Sequence, residues 1–274
     1  MEQRFNLSWI TGARVRGLYP IMVRLMSMSE LVVVGLLFYV FVWIWGPVIT
    51  SFPLPLMAFA YVVVVVYISY ISPVLLHGDK DCYRGIANWR QGFIRTDNLG
   101  QAGRSFGLII LLGGSGIVVA AYLKNPQVFV ELNWLAVTIK YTMYNFSGAI
   151  QGCFTLFILF RLMDVLDLNP FEKNISIGGK LVLTGLVSVL FAMMHWPNMP
   201  VVIILLVSCP LIMWQFYRAP NFFMLVTSHA ILGTLLHRVY ELPMRIGPFY
   251  HNPDKYILRE LFPPLAWIIG NLWK

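Results

Sequence analysis

The chain has few charged residues, and very few of them are acidic. Of its 274 residues only 12% are charged and only 12 are Asp or Glu, whereas a soluble globular chain has about 25% charged residues. So few acidic groups cannot solvate the surface of a soluble protein of this size. The same composition excludes a disordered chain, a collagen and a coiled coil. With 58% hydrophobic residues and a mean hydropathy of +0.72, the sequence predicts an all-α, polytopic transmembrane helical bundle.

Cysteine is also scarce. Cys82, Cys153 and Cys209 are odd in number, lie far apart and form no CxxC pair, which excludes a disulfide scaffold and a zinc ribbon. The first 30 residues contain no compact apolar h-region and no A-x-A site, so we expect no cleaved signal peptide.

Seven segments are apolar and long enough to cross a bilayer core of about 30 Å. An eighth, Leu261–Trp273, is short enough to be interfacial instead. The seven predicted spans are Leu31–Ile49, Leu56–Leu76, Phe106–Leu123, about Leu132–Leu162, Leu181–Met194, Val201–Phe216 and Asn221–Val239. Residues 1–30 are interpreted as a basic cytoplasmic or interfacial segment, and residues 31–274 as one transmembrane domain.

We attribute the net charge of +8 to the membrane environment of the chain. Lys and Arg concentrate in cytoplasmic loops, where they also meet anionic lipids, and no interleaved basic and aromatic stripe indicates nucleic acid. The polar stretch His77–Ser105 contains five basic residues, which places it and the N-terminus in the cytoplasm. A docking surface or an amphipathic surface helix would both fit that stretch. The basic residues after Val239 conflict with this topology if Asn221–Val239 crosses fully.

Few ionisable residues fall inside the predicted spans, and such residues are functional candidates by default. His195 ends one apolar run, and His229 lies within another; for each, the alternative is a histidine bonded to a backbone carbonyl. Arg161 is predicted to extend towards the headgroups, with Asp164 close enough for an i, i+3 pair. His229 and His237 lie about 80° apart around a helix, so they do not share one helical face as two ligands of a metal ion would. We therefore expect no metal.

Glycines interrupt one predicted span. The GGSG stretch Gly113–Gly116 is interpreted as permitting close helix packing; a break in the span is the alternative.

Part of the chain resembles the CAAX protease and bacteriocin-processing (CPBP) family of intramembrane glutamate proteases. The family's F-x-x-x-H motif is matched by Phe191 and His195 in LFAMMHWPNMP, and its H-x-x-x-N motif begins with His229 in TSHAILG. The resemblance covers roughly Leu156–His237, within a core at about 132–240. It implies a bacterial cytoplasmic membrane, and it implies that His195 and His229 occupy catalytic positions.

Two of the family's three motifs are degenerate in this chain. The first, E-E-x-x-x-R, is matched only by Arg161, because Leu156 and Phe157 stand where two glutamates are expected. In the third motif Gly233 replaces Asn or Asp. In the family a glutamate activates the hydrolytic water, and Leu and Phe cannot accept a proton. The resemblance therefore implies that both histidines are vestigial.

Three functions follow from these observations. The first is a non-catalytic accessory or scaffold subunit that binds other integral membrane proteins and anionic lipids. The second is an active endopeptidase that uses His195 and His229 with Asp164 or Glu241 as its carboxylate. The third is a small-molecule transporter. The sequence argues against it because the predicted spans contain no relay of carboxylates. No cofactor is predicted, although a bound lipid or pigment is left open.

Overall fold

The structure is a computed structural model that describes residues 19–45, 62–77, 97–171 and 175–244. Within these ranges it is helical and contains no strand, so the predicted all-α class is confirmed. The helices are α1 (Tyr19–Tyr39, continued by the π-helical Val40–Trp45), α2 (the π-helical Tyr67–Leu76, preceded by α-helical residues 62–66), α3 (Leu99–Lys124), α4 (Val128–Glu131), α5 (Trp134–Leu166), α6 (Ile177–Met193), α7 (Met199–Arg218) and α8 (Phe222–Thr234, continued by the π-helical Leu235–Val239).

Five of these helices are long and apolar enough to cross a membrane, which makes the chain a helical membrane protein. Two shorter apolar helices, Val62–Pro73 and Ile177–Met193, correspond to the other two predicted spans. The possible eighth span, Leu261–Trp273, lies outside the described residues. The five long spans are Ile21–Ile44, Leu99–Lys124, Trp134–Leu166, Met199–Arg218 and Phe222–Val239.

The first span begins earlier than predicted. Helix α1 starts at Tyr19 and its apolar span at Ile21, whereas hydropathy placed the start at Leu31. The prediction was wrong because Arg24 and Glu30 interrupt the apolar run in the sequence. In the fold both side chains have polar partners on other helices, so the helix accommodates them.

Helix α5 is the centre of the bundle. Of its most apolar 18-residue window 61% is buried, compared with 17% for α1 and for α3. Hydrogen bonds near the helix ends show in which direction neighbouring helices run. Arg24, near the start of α1, bonds to Asp167, just beyond the end of α5, so α1 and α5 are antiparallel. Lys124, at the end of α3, donates to the carbonyl of Tyr240 beyond α8, so α3 and α8 are parallel.

Helices α5 and α8 approach each other at glycines. A Cβ added at Gly152 would lie 2.9 Å from Cε2 of Phe222, at the start of α8. A Cβ at Gly148, one turn earlier on α5, would lie 3.0 Å from Cδ2 of His229. The contact moves towards the end of α8 as it moves towards the start of α5, so these two helices are antiparallel.

The GGSG stretch does not interrupt its helix. It lies within the continuous α3, and positions for a Cβ at Gly113 and Gly114 fall 3.2 and 3.3 Å from the side chains of Leu232 and Leu235 on α8. The predicted role in close helix packing is confirmed.

Short polar residues define the helix ends. Asn133, Ser176, Asn198 and Asn221 each accept a backbone N–H from the first turn of α5, α6, α7 and α8, respectively, which satisfies one of the free donors at a helix start. Asp167 ends α5 with a φ of 55°, a left-handed conformation that Asp tolerates.

Candidate functional site

A buried group of polar and ionisable side chains joins α1, α2 and α5. We call it the Glu30 cluster. Its centre is a carboxylate within the first apolar span, where an ionisable group is costly and marks a functional candidate. Its members are Ser27, Glu30, Tyr67, Ser72, His77, Arg161 and Asp164.

Glu30 is 5% exposed and has a partner at each carboxylate oxygen. The hydroxyl of Tyr67 donates to Oε1 at 2.6 Å. The hydroxyl of Ser72 donates to Oε2 at 3.0 Å, and Nε2 of His77 lies 2.9 Å from the same oxygen. Three side chains of α2 and its C-terminal cap therefore converge on one carboxylate of α1.

The π-helical form of α2 explains this convergence. Tyr67, Ser72 and His77 follow each other at intervals of five residues. In an α-helix residues five apart are turned by about 140° from each other, but a π-helix bonds each N–H to the carbonyl five residues earlier. The N–H of His77 makes such a bond to the Ser72 carbonyl, at 3.1 Å. The π-helix thus presents all three side chains to Glu30.

Arg161 supplies positive charge from α5. Its side chain is 1% exposed, with Nε 3.6 Å from Oε2 of Glu30, and its Nη1 donates to Oδ2 of Asp164 at 3.0 Å. The predicted Arg161–Asp164 pair is confirmed. The prediction that Arg161 extends towards the headgroups was wrong, because the Glu30 carboxylate from α1 holds the guanidinium inside the bundle.

His77 lies between two carboxylates. Nε2 is 2.9 Å from Glu30 Oε2, Nδ1 is 3.4 Å from Asp164 Oδ2, and the side chain is 2% exposed. Burial alone lowers the pKa of His77, but hydrogen bonding to Asp164 and Glu30 outweighs it and raises the pKa above its ordinary value. Only the imidazolium form has a proton on both ring nitrogens.

The histidines of the family motifs lie elsewhere in the bundle. Nδ1 of His195 donates to the carbonyl of Phe191 at 3.1 Å, and the two rings meet edge to face at 5.2 Å. His195 thus makes the backbone bond that the sequence analysis gave as the alternative to a functional role. Burial lowers the pKa of His195 below its ordinary value, which favours the neutral ring.

His229 packs against α5. Its ring meets the Tyr144 ring edge to face at 6.3 Å. Nε2 of His229 is shielded from solvent, and none of the described residues forms a hydrogen bond with it. Gly233, one turn further along α8, faces the same Tyr144 ring, which would lie 3.6 Å from an added Cβ.

The structure places Arg161 far from His229. Arg161 follows Gly148, which contacts His229, by 13 residues on α5, a rise of about 20 Å. In the described part of the chain neither His195 nor His229 forms an ion pair with a carboxylate. Asp164 is bound to Arg161.

The other carboxylate considered for the histidines is also placed elsewhere. Glu241 is 61% exposed, and its carboxylate lies 3.7 Å from the Lys124 ammonium. Within residues 19–45, 62–77, 97–171 and 175–244, no group of three His, Cys, Asp or Glu side chains is placed to hold a metal ion. Cys153 and Cys209 are free and buried.

Sequence reasoning missed Glu30, Tyr67, Ser72 and His77. Glu30 stood one residue before the predicted first span, so it was not counted as intramembrane. The available signal was the spacing of Tyr67, Ser72 and His77 at intervals of five residues. A search for the α-helical period of 3.6 residues does not detect that spacing.

No family model, curated protein or solved structure matches the chain.

Proposed function

We propose that the chain is a non-catalytic, CAAX-protease-like membrane protein that serves as an accessory or scaffold subunit in a larger assembly of integral membrane proteins. One observation carries the proposal: among the described residues neither His195 nor His229 has a carboxylate partner, while the carboxylate buried in the first span, Glu30, is bound by Arg161 and α2. A water beside either histidine would find no acidic general base among the side chains that the structure describes.

The residues that replace the family's glutamates support the same proposal. Leu156 and Phe157 are 1% and 2% exposed and belong to the main hydrophobic core. They contribute packing where the family has proton acceptors. Gly233 contributes contact with Tyr144 where the family has an amide or carboxyl group. Packing residues at these positions favour a helical framework over a hydrolase.

The proposal includes an orientation. The start of α1, the start of α3 and the end of α7 lie at the same end of the bundle. That end includes Arg24, Arg104, Arg218 and His77, after which the basic stretch begins in the sequence. By the positive-inside rule we place it in the cytoplasm, in a bacterial inner membrane, where anionic lipids face it.

Blue-native electrophoresis of membranes in mild detergent tests the assembly. We expect an epitope-tagged chain to migrate in a complex larger than itself, and we expect deletion of the chain to lower the abundance of that same complex. The tagged chain expressed with its untagged copy is the control for self-association. A chain that always migrates alone, and whose deletion leaves every membrane complex intact, would contradict the proposal.

Single substitutions test the absence of catalysis. We expect His195→Ala and His229→Ala to leave the peptide and protein processing pattern of the membrane unchanged, as judged by N-terminal proteomics. His237→Ala is the matched control on α8. Loss of the same cleavage products in both motif variants, but not in the control, would contradict the proposal and support the active endopeptidase instead.

A small-molecule transporter is the second candidate, and the Glu30 cluster specifically favours it. The objection that the spans contain no carboxylate does not hold for Glu30, which lies within Ile21–Ile44. Buried carboxylates and histidines are the groups that couple protons to transport. Proteoliposomes with an imposed pH gradient test this candidate: proton uptake that Glu30→Gln abolishes would support transport, and equal fluxes in loaded and empty vesicles would reject it.

A further inference from the structure

The Glu30 cluster is neutral when both of its carboxylates are ionised and His77 is protonated. The carboxylates of Glu30 and Asp164 contribute two negative charges, and Arg161 contributes one positive charge. An imidazolium at His77 completes the balance, and both of its ring nitrogens face a carboxylate oxygen. Loss of that proton leaves one negative charge uncompensated beside Glu30 and Arg161, which are 5% and 1% exposed, and an unpaired charge in such a place is strongly destabilising.

The other groups that face His77 do not replace its charge. On α2 the Tyr67 hydroxyl donates to Glu30 and is neutral. On α1 Arg24 is exposed and pairs with Asp167, and Ser27 donates to Asp164. On α5 the charge of Arg161 is already shared between Glu30 and Asp164. Within the described residues, His77 is therefore the titratable group that balances the cluster near neutral pH.

His77 also joins helices. It caps the C-terminal end of α2, and its ring lies between a carboxylate of α1 and a carboxylate of α5. The backbone bond from His77 to Ser72 is part of the π-helix. Pro73 lies inside the helix and has no N–H to donate. The C-terminal half of α2 thus depends on side-chain contacts with the other helices.

We propose that the Glu30 cluster is a proton-binding site, in which a proton bound at His77 holds the C-terminal end of α2 against α1 and α5. When His77 loses that proton, its ring no longer carries the positive charge that attracts both carboxylates, and the end of α2 is released. Asp164 is 25% exposed and gives the proton a route between His77 and water. This site is independent of whether the chain is an accessory subunit or a transporter.

The direction of the pH dependence follows from the geometry. Because the pKa of His77 is raised in the folded protein, the contribution of the imidazolium is fully present below its unfolded value of about 6.5. It is lost as the pH rises through the higher folded value. A lower pH therefore holds α2, and a higher pH releases it.

Hydrogen–deuterium exchange of the full chain in lipid nanodiscs tests the proposal. Exchange of peptides that cover residues 67–77 is measured from pH 6 to pH 9 and corrected for the intrinsic pH dependence of amide exchange. We expect their protection to fall at least several-fold as the pH rises, while peptides from the middle of α5 keep theirs. Protection of residues 67–77 that is constant across this range would overturn the proposal without any variant.

His77→Gln identifies the titrating group. Gln keeps a donor but cannot carry the charge, so we expect the variant to show low protection of residues 67–77 at every pH. His237→Gln, at the end of α8, is the matched control and should retain the pH dependence of the unmodified chain. If His77→Gln keeps that dependence, a different group titrates and the assignment is wrong.

Discussion

Nε of Arg161 lies 3.6 Å from Oε2 of Glu30, although both side chains are almost completely buried and come from different helices. The pair connects the central helix α5 to α1, the span with little other burial. Removing one member of a buried pair leaves the other charge uncompensated, which is far more destabilising than replacing both. The stability of this bundle therefore depends on a few polar contacts at one end as well as on its apolar core.

Substitution of Arg161 is the most damaging single change that we expect in this region. Arg161→Met leaves the buried Glu30 and the partly buried Asp164 without their guanidinium, and we expect a loss of about 3–5 kcal/mol of unfolding free energy. Unfolding in mixed micelles, followed by circular dichroism, measures it.

The double variant Glu30→Gln, Arg161→Met is the control for that prediction. Because it removes both charges of the pair, we expect it to be more stable than Arg161→Met alone. A double variant that loses as much as the sum of the two single changes would show that the two side chains act independently.

The ion pair between Arg24 and Asp167 should contribute much less. Both side chains are about half exposed, and exposed pairs contribute between about 0 and 1 kcal/mol. Asp167→Asn also preserves the left-handed backbone at the end of α5, which Asn tolerates. We expect this variant to unfold within about 1 kcal/mol of the unmodified chain in the same assay; a loss comparable to that of Arg161→Met would mean that Asp167 supports the buried cluster directly.

The sequence predicts the helices well because a membrane span can be recognised from the apolar composition of its own residues. The long segment from about Leu132 to Leu162 corresponds to Trp134–Leu166, and Asn221–Val239 corresponds to Phe222–Val239. Each was found from a long, mainly apolar segment, which needs no knowledge of other helices. The glycines of α3 were also interpreted correctly, since small residues permit close helix packing whichever helix is the neighbour.

The Glu30 cluster could not be predicted in the same way because its contacts join distant parts of the chain. The sequence contains Glu30 as a charge beside an apolar run, and a hydropathy window ends the span there. Its compensation by Arg161 exists only after α1 and α5 pack antiparallel. The local Arg161–Asp164 pair was predictable because both residues lie on one helix three positions apart.

Helix packing around the histidines gives a test with a matched control. A Cβ at Gly152 would lie 2.9 Å from the Phe222 ring, so Gly152→Ala forces α5 and α8 apart, and we expect a loss of about 1–3 kcal/mol. Gly116 on α3 has no atom within 4 Å of its Cβ position, so Gly116→Ala should be neutral or stabilise the helix by about 1 kcal/mol. Thermal unfolding in detergent compares the two, and equal midpoints would contradict the close contact.

His195 and His77 should respond to pH in opposite directions. Burial lowers the pKa of His195 in the folded protein, so its contribution to stability is present above the unfolded value of about 6.5 and is lost as the pH falls through the lower folded value. We expect His195→Gln, which retains a donor for the Phe191 carbonyl, to lose less stability than the unmodified chain between pH 6.5 and pH 4.5. His77→Gln should leave that acidic loss intact and remove the alkaline one, because the pKa of His77 is shifted upwards. Midpoints of thermal unfolding are measured across pH 4.5–9 for the unmodified chain and the two variants. If His195→Gln loses as much stability at acidic pH as the unmodified chain, a different group is responsible for that loss.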